Sequence, residues 1–114
     1  MTTPAITHSS LPTAALPSTT TSPVIRSVRV EVIRGPDAGN HLRGATERVV
    51  IGSHRTADLV LSDRTVSRFH LELVIEGDAV VVRDLGSRNG THLDGVEVET
   101  VRLKGPAIIT LGET

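Results

Sequence analysis

The sequence predicts an all-β domain, folded as a twisted sandwich of two mainly antiparallel sheets. Its apolar residues are chiefly Val, Leu and Ile, with Phe69 as the only aromatic residue among 114, and β-branched side chains pack well on a pleated surface. Short apolar segments are separated by frequent Gly, Pro, Asn and Asp residues, which favour turns. No segment shows the sustained apolar period of an amphipathic helix. Many short strands with frequent turns are typical of a β-sandwich or barrel.

The chain changes in character near residue 26. Residues 1–26 are rich in Ser, Thr and Pro and contain no acidic residue. Prolines at positions 4, 12, 17 and 23 oppose both helices and central strands. Because this segment has few apolar side chains to bury, we predict a disordered leader over residues 1–26 and a folded domain over residues 27–114.

The folded part contains short apolar segments separated by turn sequences. Residues 27–32 alternate between apolar and polar, as expected of a strand with one buried face. Further strands are predicted over the apolar segments 47–51, 58–61, 69–75, 79–83, 96–98 and 107–111. Because Gly112–Thr114 has the character of a turn with no strand after it, we expect the final strand of the sandwich to be missing and a sheet edge to be open.

The composition excludes several functional classes. With no cysteine, the chain can form neither disulfides nor thiolate metal sites, which favours a reducing, cytoplasmic compartment. The formal net charge of −1 argues against a general binder of nucleic acid or of anionic membranes. No apolar run approaches the ~18 residues that span a bilayer. No motif of the sequence calls for a cofactor.

Two polar loops carry the clearest functional signal. They are Val66–His70 and Asp84–Thr91, and both are rich in hydroxyl, guanidinium and amide side chains. Ser67 can donate its hydroxyl and its backbone N–H to a phosphate oxygen, and Arg68 adds a charge and a planar set of donors. Asn89 combines a donor with an acceptor, which suits a peptide backbone. The two loops therefore predict a binding face for a phosphate group.

These residues resemble the forkhead-associated (FHA) domain, a β-sandwich that binds phosphothreonine peptides. The resemblance runs from about Val28 to the C-terminus, and its markers are Ile51-Gly52, Asp58–Leu61, Val66–His70, Asp84–Ser87 and Asn89–Thr91. It implies two sheets with binding loops at one end, and one strand more than this sequence supplies. It also implies a module for phosphorylation-dependent protein–protein interaction in signalling, with a threonine-phosphorylated protein as partner and a Ser/Thr kinase upstream.

The resemblance also implies roles for individual residues. The ligand-binding positions of the family correspond to Ser67, Arg68, Arg88 and Asn89, of which Asn89 would hold the peptide main chain beside the phosphothreonine. The histidine of the family is architectural, so His70 is interpreted as an imidazole that ties the two loops together rather than as a general base. Gly52 and Gly90 are expected to support the site through their backbone geometry.

The chain departs from the family at Ser53. The family usually places a phosphate-binding arginine directly after the first glycine, whereas serine is neutral and shorter. We hypothesise that Ser53 lines the site while Arg55, Arg68 and Arg88 share the charge of the phosphate. The alternative for these arginines is that they are solvated and only alter the local field. The alternative for the whole domain is that, with Ser53 in place of the arginine, it has lost phosphate binding and serves as a structural or oligomerisation module.

Two enzymatic interpretations receive little support from the sequence. Ser67, His70 and Asp84 could be named as a triad, but no G-x-S-x-G nucleophile elbow surrounds the serine. His54, His70 and His92 match no zinc-site spacing. The chain is therefore predicted to have no metal site and no enzymatic activity.

The arrangement of a short leader and one FHA-like domain is similar to the N-terminal region of bacterial enhancer-binding transcriptional activators. That resemblance implies a bacterial signalling or transcription-regulatory protein, in which an ATPase module and a DNA-binding module would follow. The domain itself is expected to contact neither nucleic acid nor membrane.

Overall fold

The computed structural model describes residues 2–8 and 25–114, which form eleven β-strands. The strands of the six-stranded sheet are β1 (Thr2–His8), β2 (Ile25–Val32), β3 (His41–Ala45), β8 (Thr91–Leu93), β9 (Val96–Val98) and β11 (Ile109–Leu111). Those of the five-stranded sheet are β4 (Arg48–Gly52), β5 (Leu59–Val60), β6 (Leu71–Glu76), β7 (Ala79–Asp84) and β10 (Thr100–Leu103). The described residues include no helix long and apolar enough to cross a membrane.

The strand order confirms the predicted sandwich of two mainly antiparallel sheets. One sheet has the order β3-β2-β1-β11-β8-β9 and the other the order β10-β7-β6-β4-β5. Among the described strands, only β4 and β5 pair in parallel. Tight turns such as Gly77-Asp78, which joins β6 to β7 between the paired residues Glu76 and Ala79, return the chain antiparallel to itself.

The two sheets share one aliphatic core. In β2, Val28, Val30 and Val32 are at most 1% exposed, whereas Arg29 and Glu31 between them are exposed. The other strands supply further fully buried residues, among them Val49, Ile51, Leu71, Leu73, Val80, Val82, Ile109 and Leu111. Burying one such side chain contributes roughly 1.5–3 kcal/mol. The alternation that predicts the strand at 27–32 is therefore also what builds the core.

Each strand predicted after residue 26 has a counterpart, but three further strands are not evident from the sequence. The predicted segments correspond to β2, β4, β5, β6, β7, β9 and β11. The strands without a sequence signal are β3, β8 and β10. Both β3 and β10 lie at sheet edges, where a strand has fewer neighbours and needs fewer apolar residues. The short strand β8 begins at Thr91, the last residue of the polar motif that we interpret as a binding loop.

Residues 2–8 differ from the disordered leader that the sequence predicts, because they form β1. This strand lies between β2 and β11, and it pairs with β2 from Thr2–Val32 to His8–Ile25 and with β11 at Thr2–Ile109. Strand edges carry unpaired N–H and C=O groups, and a neighbouring main chain can satisfy them whatever its side chains. The strand thus lies between β2 and β11, and its pairing with β11 is limited to Thr2–Ile109. The missing final strand and its open edge stay a prediction. Residues 9–24 of the predicted leader lie outside the described residues.

Candidate functional site

Three loops meet at one end of the sandwich, and Gly52 allows the first two to touch. The first loop (53–58) follows β4, the second loop (61–70) follows β5 and the third loop (85–90) follows β7. The N–H of Ser53 donates to the carbonyl of Ser67 at 3.0 Å, and that of His54 donates to the carbonyl of Arg68 at 3.1 Å. A Cβ atom on Gly52 would lie 1.9 Å from the Arg68 carbonyl oxygen. Only glycine permits this approach.

His70 joins the second loop to the third. Its ring is fully buried, Nδ1 accepts the N–H of Ser67 at 3.1 Å, and Nε2 lies 2.8 Å from the carbonyl oxygen of Gly90. Because Nδ1 accepts, the ring proton belongs on Nε2, where it donates to Gly90. Burial lowers the pKa of His70, and this outweighs the opposing effects of the Gly90 hydrogen bond and of Asp84. The neutral ring therefore links the second and third loops through two hydrogen bonds.

Ser67 is held in place by hydrogen bonds with His70 and Arg88. Its Oγ accepts the backbone N–H of Arg88 at 3.0 Å, so the hydroxyl proton is directed elsewhere. Its own N–H donates to His70. The expectation that this N–H would add a second bond to a phosphate is therefore wrong. The hydroxyl is the donor that Ser67 retains for a ligand.

Asn89 is held by a hydrogen bond from its side-chain amide nitrogen. Its Nδ2 donates to the carbonyl oxygen of Thr65 at 2.8 Å, which ties the third loop to the second. The residue is exposed, and an amide side chain has a second N–H and a carbonyl oxygen in addition to this donor. That remaining pair matches the N–H and C=O of an extended peptide. Sequence reasoning identified Asn89 but missed Thr65, although Asp63-x-Thr65 is a turn signal.

Asp84 shapes the third loop from within. Its carboxylate accepts the N–H groups of Gly86 and Ser87 at 3.0 Å each, the Ser87 hydroxyl, and the Thr91 hydroxyl at 2.7 Å. Burial acts to raise the pKa of Asp84, but the hydrogen bonds from Ser87 and Thr91 outweigh it and hold the pKa below its usual value. Gly86 and Gly90 have φ angles of 74° and 80°, in the left-handed region that favours glycine.

Four arginines present unneutralised charge on these loops. They are exposed and comprise Arg55, Arg64, Arg68 and Arg88. The ion pairs found among the described residues all involve other cationic groups, on the strands or on the 104–106 turn. The nearby carboxylates are occupied, since Asp58 accepts the N–H of Val50 at 2.8 Å and Asp84 caps its own loop. Among the described residues, none of these four arginines is held in an ion pair, so their guanidinium groups can turn toward an anion at this end of the sandwich.

The structure places the sequence-predicted site residues on these loops, except Gly52, which ends β4, and it joins only some of them directly. Hydrogen bonds connect the main chains of Ser53 and Ser67, Ser67 with Arg88, and Asn89 with the second loop. The side chain of Arg55 makes no such connection within the described part of the chain. Its part in the site stays a prediction.

The bonding of His70 does not fit a catalytic triad. Its Nδ1 faces the backbone N–H of Ser67 rather than the hydroxyl, and its Nε2 faces a carbonyl oxygen. A nucleophilic serine needs its hydroxyl hydrogen-bonded to the histidine. Within the described ranges, no three His, Cys, Asp or Glu side chains are grouped so as to hold a metal ion.

The chain is similar to several known proteins over this domain. The family model described as "Inner membrane component of T3SS, cytoplasmic domain" matches residues 31–114. Identity is 34% to the glycogen accumulation regulator GarA of Mycolicibacterium smegmatis, over 76% of this chain and 55% of that protein. It is 41% to the oxoglutarate dehydrogenase inhibitor of Corynebacterium jeikeium, over 60% of this chain and 47% of that protein. A solved structure described as "Structural and functional analysis of phosphothreonine-dependent FHA domain interactions" has a TM-score of 0.65 and 31% identity, over 76% of this chain and 88% of that chain.

The chain belongs to the FHA domain family. The fold, the order of the loops and the similarity to a solved FHA domain agree on this, and the matching secretion-system family is itself FHA-like. The chain spans about half the length of the curated relatives it matches, 55% and 47% in the two cases above.

Proposed function

We propose that this chain is a phosphothreonine-peptide-binding module that mediates phosphorylation-dependent protein–protein interaction in signalling. The observation that carries the proposal is the hydroxyl of Ser67, fixed by the Arg88 N–H at 3.0 Å and surrounded by loops whose arginines have no carboxylate partner among the described residues. The similarity to the solved structure whose description names phosphothreonine-dependent FHA domain interactions supports the same proposal.

The phosphate would be held by a hydroxyl and by several guanidinium groups. A phosphothreonine carries roughly −1.5 to −2 charges at neutral pH. Ser67 donates its hydroxyl proton, and Arg68, Arg88 and Arg55 supply charge-assisted donors. Each such bond contributes roughly 1.5–3 kcal/mol. Three or four of them, less the cost of ordering the peptide, correspond to a free energy near −8 kcal/mol and micromolar affinity.

The peptide main chain would lie along the third loop. Asn89 donates one amide N–H to Thr65, and its other N–H and its oxygen pair with the peptide backbone beside the phosphothreonine. His70 and Gly52 do not touch the ligand in this arrangement. They hold the loops at the spacing that lets Ser67 and Asn89 act on the same peptide.

A second candidate function follows from Ser53. Where the family has a phosphate-binding arginine, the half-buried serine offers no charge. A domain that had lost phosphate binding would serve as a structural or oligomerisation module, and its partner would bind regardless of phosphorylation. Neither function is enzymatic.

The proposed setting is a bacterial cytoplasmic signalling or transcription-regulatory protein, with an upstream Ser/Thr kinase and no direct contact between this domain and nucleic acid or membrane. The curated relatives carry the names of a regulator and an inhibitor, which supports a regulatory role. A place at the N-terminus of an enhancer-binding activator is the finer form of this proposal.

The proposal is tested by titrating the domain with a degenerate phosphothreonine peptide pool and recording backbone amide NMR shifts. Unphosphorylated and phosphoserine pools serve as controls. We expect shifts at Ser67, Arg68, Arg88 and Asn89 with the phosphothreonine pool alone. A folded sample that responds to none of the three pools would refute phosphopeptide binding and favour the structural module.

A further inference from the structure

A chain of hydrogen bonds leads from Asn89 into the interior of the domain. Asn89 Nδ2 donates to the carbonyl oxygen of Thr65 at 2.8 Å. The N–H and the hydroxyl of Thr65 both donate to Oδ1 of Asp63, at 2.8 and 2.6 Å. The carbonyl of Asp63 in turn accepts the N–H of Val66 at 3.1 Å. The residue that receives the Asn89 amide is thus fixed at its main chain and at its side chain.

The turn after β11 holds the same residue from the other side. The N–H of Glu113 donates to the Thr65 hydroxyl oxygen at 2.8 Å, and the buried Thr114 hydroxyl donates to Oδ2 of Asp63 at 2.7 Å. A Cβ atom on Gly112 would lie 2.2 Å from the Thr65 hydroxyl oxygen, so the packing here is tight. Thr65 is consequently clamped between Asp63 and the turn 112–114.

Asp63 is suited to anchor this arrangement. It is 6% exposed and has a partner at each carboxylate oxygen. Burial acts to raise the pKa of Asp63, but the hydrogen bonds from Thr114 and Thr65 outweigh it and keep the pKa below its ordinary value. An ionised, fully bonded carboxylate is a rigid anchor, because charge-assisted hydrogen bonds are short and directional.

We propose that Asp63 and Thr65 are positioning residues, which orient the Thr65 carbonyl so that it selects the side-chain rotamer in which Asn89 can bind a peptide main chain. Neither residue contacts the ligand. The inference rests on the proposed function, since it assigns Asn89 the role described above. It also makes the turn 112–114 part of the support of the binding face.

The test compares two substitutions of Thr65 in the full 114-residue chain. T65V keeps the shape and the main-chain carbonyl but removes the hydroxyl from both of its hydrogen bonds, whereas T65S keeps the hydroxyl. The matched control is S62A, which removes another hydroxyl-to-carboxylate bond in the second loop, from Ser62 to Asp37 at 2.7 Å, outside the chain that leads to Asn89.

Two quantities are measured: the side-chain amide NMR resonances of Asn89 in the free protein, and the affinity for the phosphothreonine peptide pool. We expect T65V to shift the Asn89 side-chain resonances and to weaken binding about fivefold, the effect of roughly one hydrogen bond. T65S and S62A should leave both quantities near the wild-type values. Should T65V fail to fold, T114V removes only the outermost bond to Asp63 and is judged by the same two measurements.

Unchanged Asn89 resonances in T65V, or an equal loss of affinity in S62A, would overturn the positioning role. The NMR measurement needs no ligand, so it remains decisive if the wild-type protein binds none of the pool. In that case the proposed function fails, and the orientation of Asn89 by Thr65 is still confirmed or refuted separately.

Discussion

At the scale of single residues, the site is defined by which hydrogen-bonding atoms remain available. The N–H of Ser67 is used by His70, and its Oγ accepts from Arg88, so the serine keeps one donor for a ligand. The neutral state of His70 matters to this arrangement, because a protonated ring would direct a second N–H at the N–H of Ser67. Burial, which lowers the pKa of His70, therefore favours the neutral ring that accepts the N–H of Ser67.

The distribution of charge around Ser53 leads to a prediction about affinity. S53R places a cation directly after Gly52, and we expect it to tighten phosphopeptide binding about tenfold, since one charge-assisted bond contributes roughly 1.5–3 kcal/mol before ordering costs.

R55A should weaken binding by about threefold to tenfold if Arg55 shares the phosphate. Both variants are measured by titration with the phosphothreonine pool.

The matched control for R55A is R43A, because Arg43 is also exposed but lies on β3 and not on any of the three loops. Equal affinities for R55A and R43A would remove Arg55 from the site. A failure of S53R to tighten binding would show that the position after Gly52 does not face the phosphate in this chain.

At the scale of strands, a carboxylate on the outer face of the five-stranded sheet links three of its members. Glu72 of β6 is buried to 1% exposure of its side chain, and it pairs with Arg48 of β4 and Arg83 of β7. Burial acts to raise the pKa of Glu72, but the hydrogen bonds from Arg48 and Arg83 outweigh it and hold the pKa below its usual value. The same strands carry Ile51 and Leu71 into the core, so this cluster ties the sheet that supports the first two loops.

We predict that Glu72 makes stability depend on acidic pH. A carboxyl whose pKa is lower in the folded state stabilises the fold above its unfolded pKa of about 4.3, and this contribution is lost as the pH falls through the folded pKa. E72Q should cost about 1–3 kcal/mol of unfolding free energy at neutral pH and should flatten the acid limb. Urea unfolding from pH 7 down to the acid limit measures both effects.

E47Q is the matched control, since Glu47 is exposed and forms no ion pair with the described residues. Identical acid limbs for E72Q and the wild type would show that Glu72 does not contribute to the pH dependence.

At the scale of the whole molecule, the six-stranded sheet depends on β1. This strand separates β2 from β11, and both neighbours carry fully buried core residues, such as Val30 and Leu111. Because β1 pairs with β11 at Thr2–Ile109, this sheet joins residues from opposite ends of the described chain. Strand edges left without a partner promote association between chains.

Deletion of residues 1–8 should therefore destabilise the domain and promote self-association. We expect a loss of roughly 2 kcal/mol or more, because the main-chain hydrogen bonds between β1 and its neighbours are removed. Urea unfolding gives the stability, and sedimentation velocity over a range of concentrations gives the association state. Deletion of residues 11–18 removes the same number of residues but leaves β1, and it serves as the control. A monomeric protein of wild-type stability after the first deletion would contradict the importance of β1.

The sequence by itself determined the fold class and indicated the loops that we propose as the binding site. Alternation in residues 27–32, many short apolar segments separated by turns, and an apolar content with one aromatic residue and no cysteine predict an aliphatic sandwich. The motifs around Ser67 and Asn89 mark the loops, because turn and phosphate-binding chemistry is local. Strand alternation and turn preference act between near neighbours along the chain, which is why the sequence alone reveals the strands and turns.

The tertiary structure alone decided which atoms of those loops remain free. In the folded chain, the N–H of Ser67 donates to His70, and one N–H of the Asn89 amide donates to Thr65. Thr65 is in turn hydrogen-bonded to both Asp63 and Glu113. The tertiary structure also places residues 2–8 between β2 and β11, although their composition favours disorder. These contacts join residues far apart in the sequence, 48 positions for Thr65 with Glu113 and 107 for Thr2 with Ile109. Hydrogen bonds over such separations depend on how the sheets bring the loops together, and no local pattern of side chains encodes that.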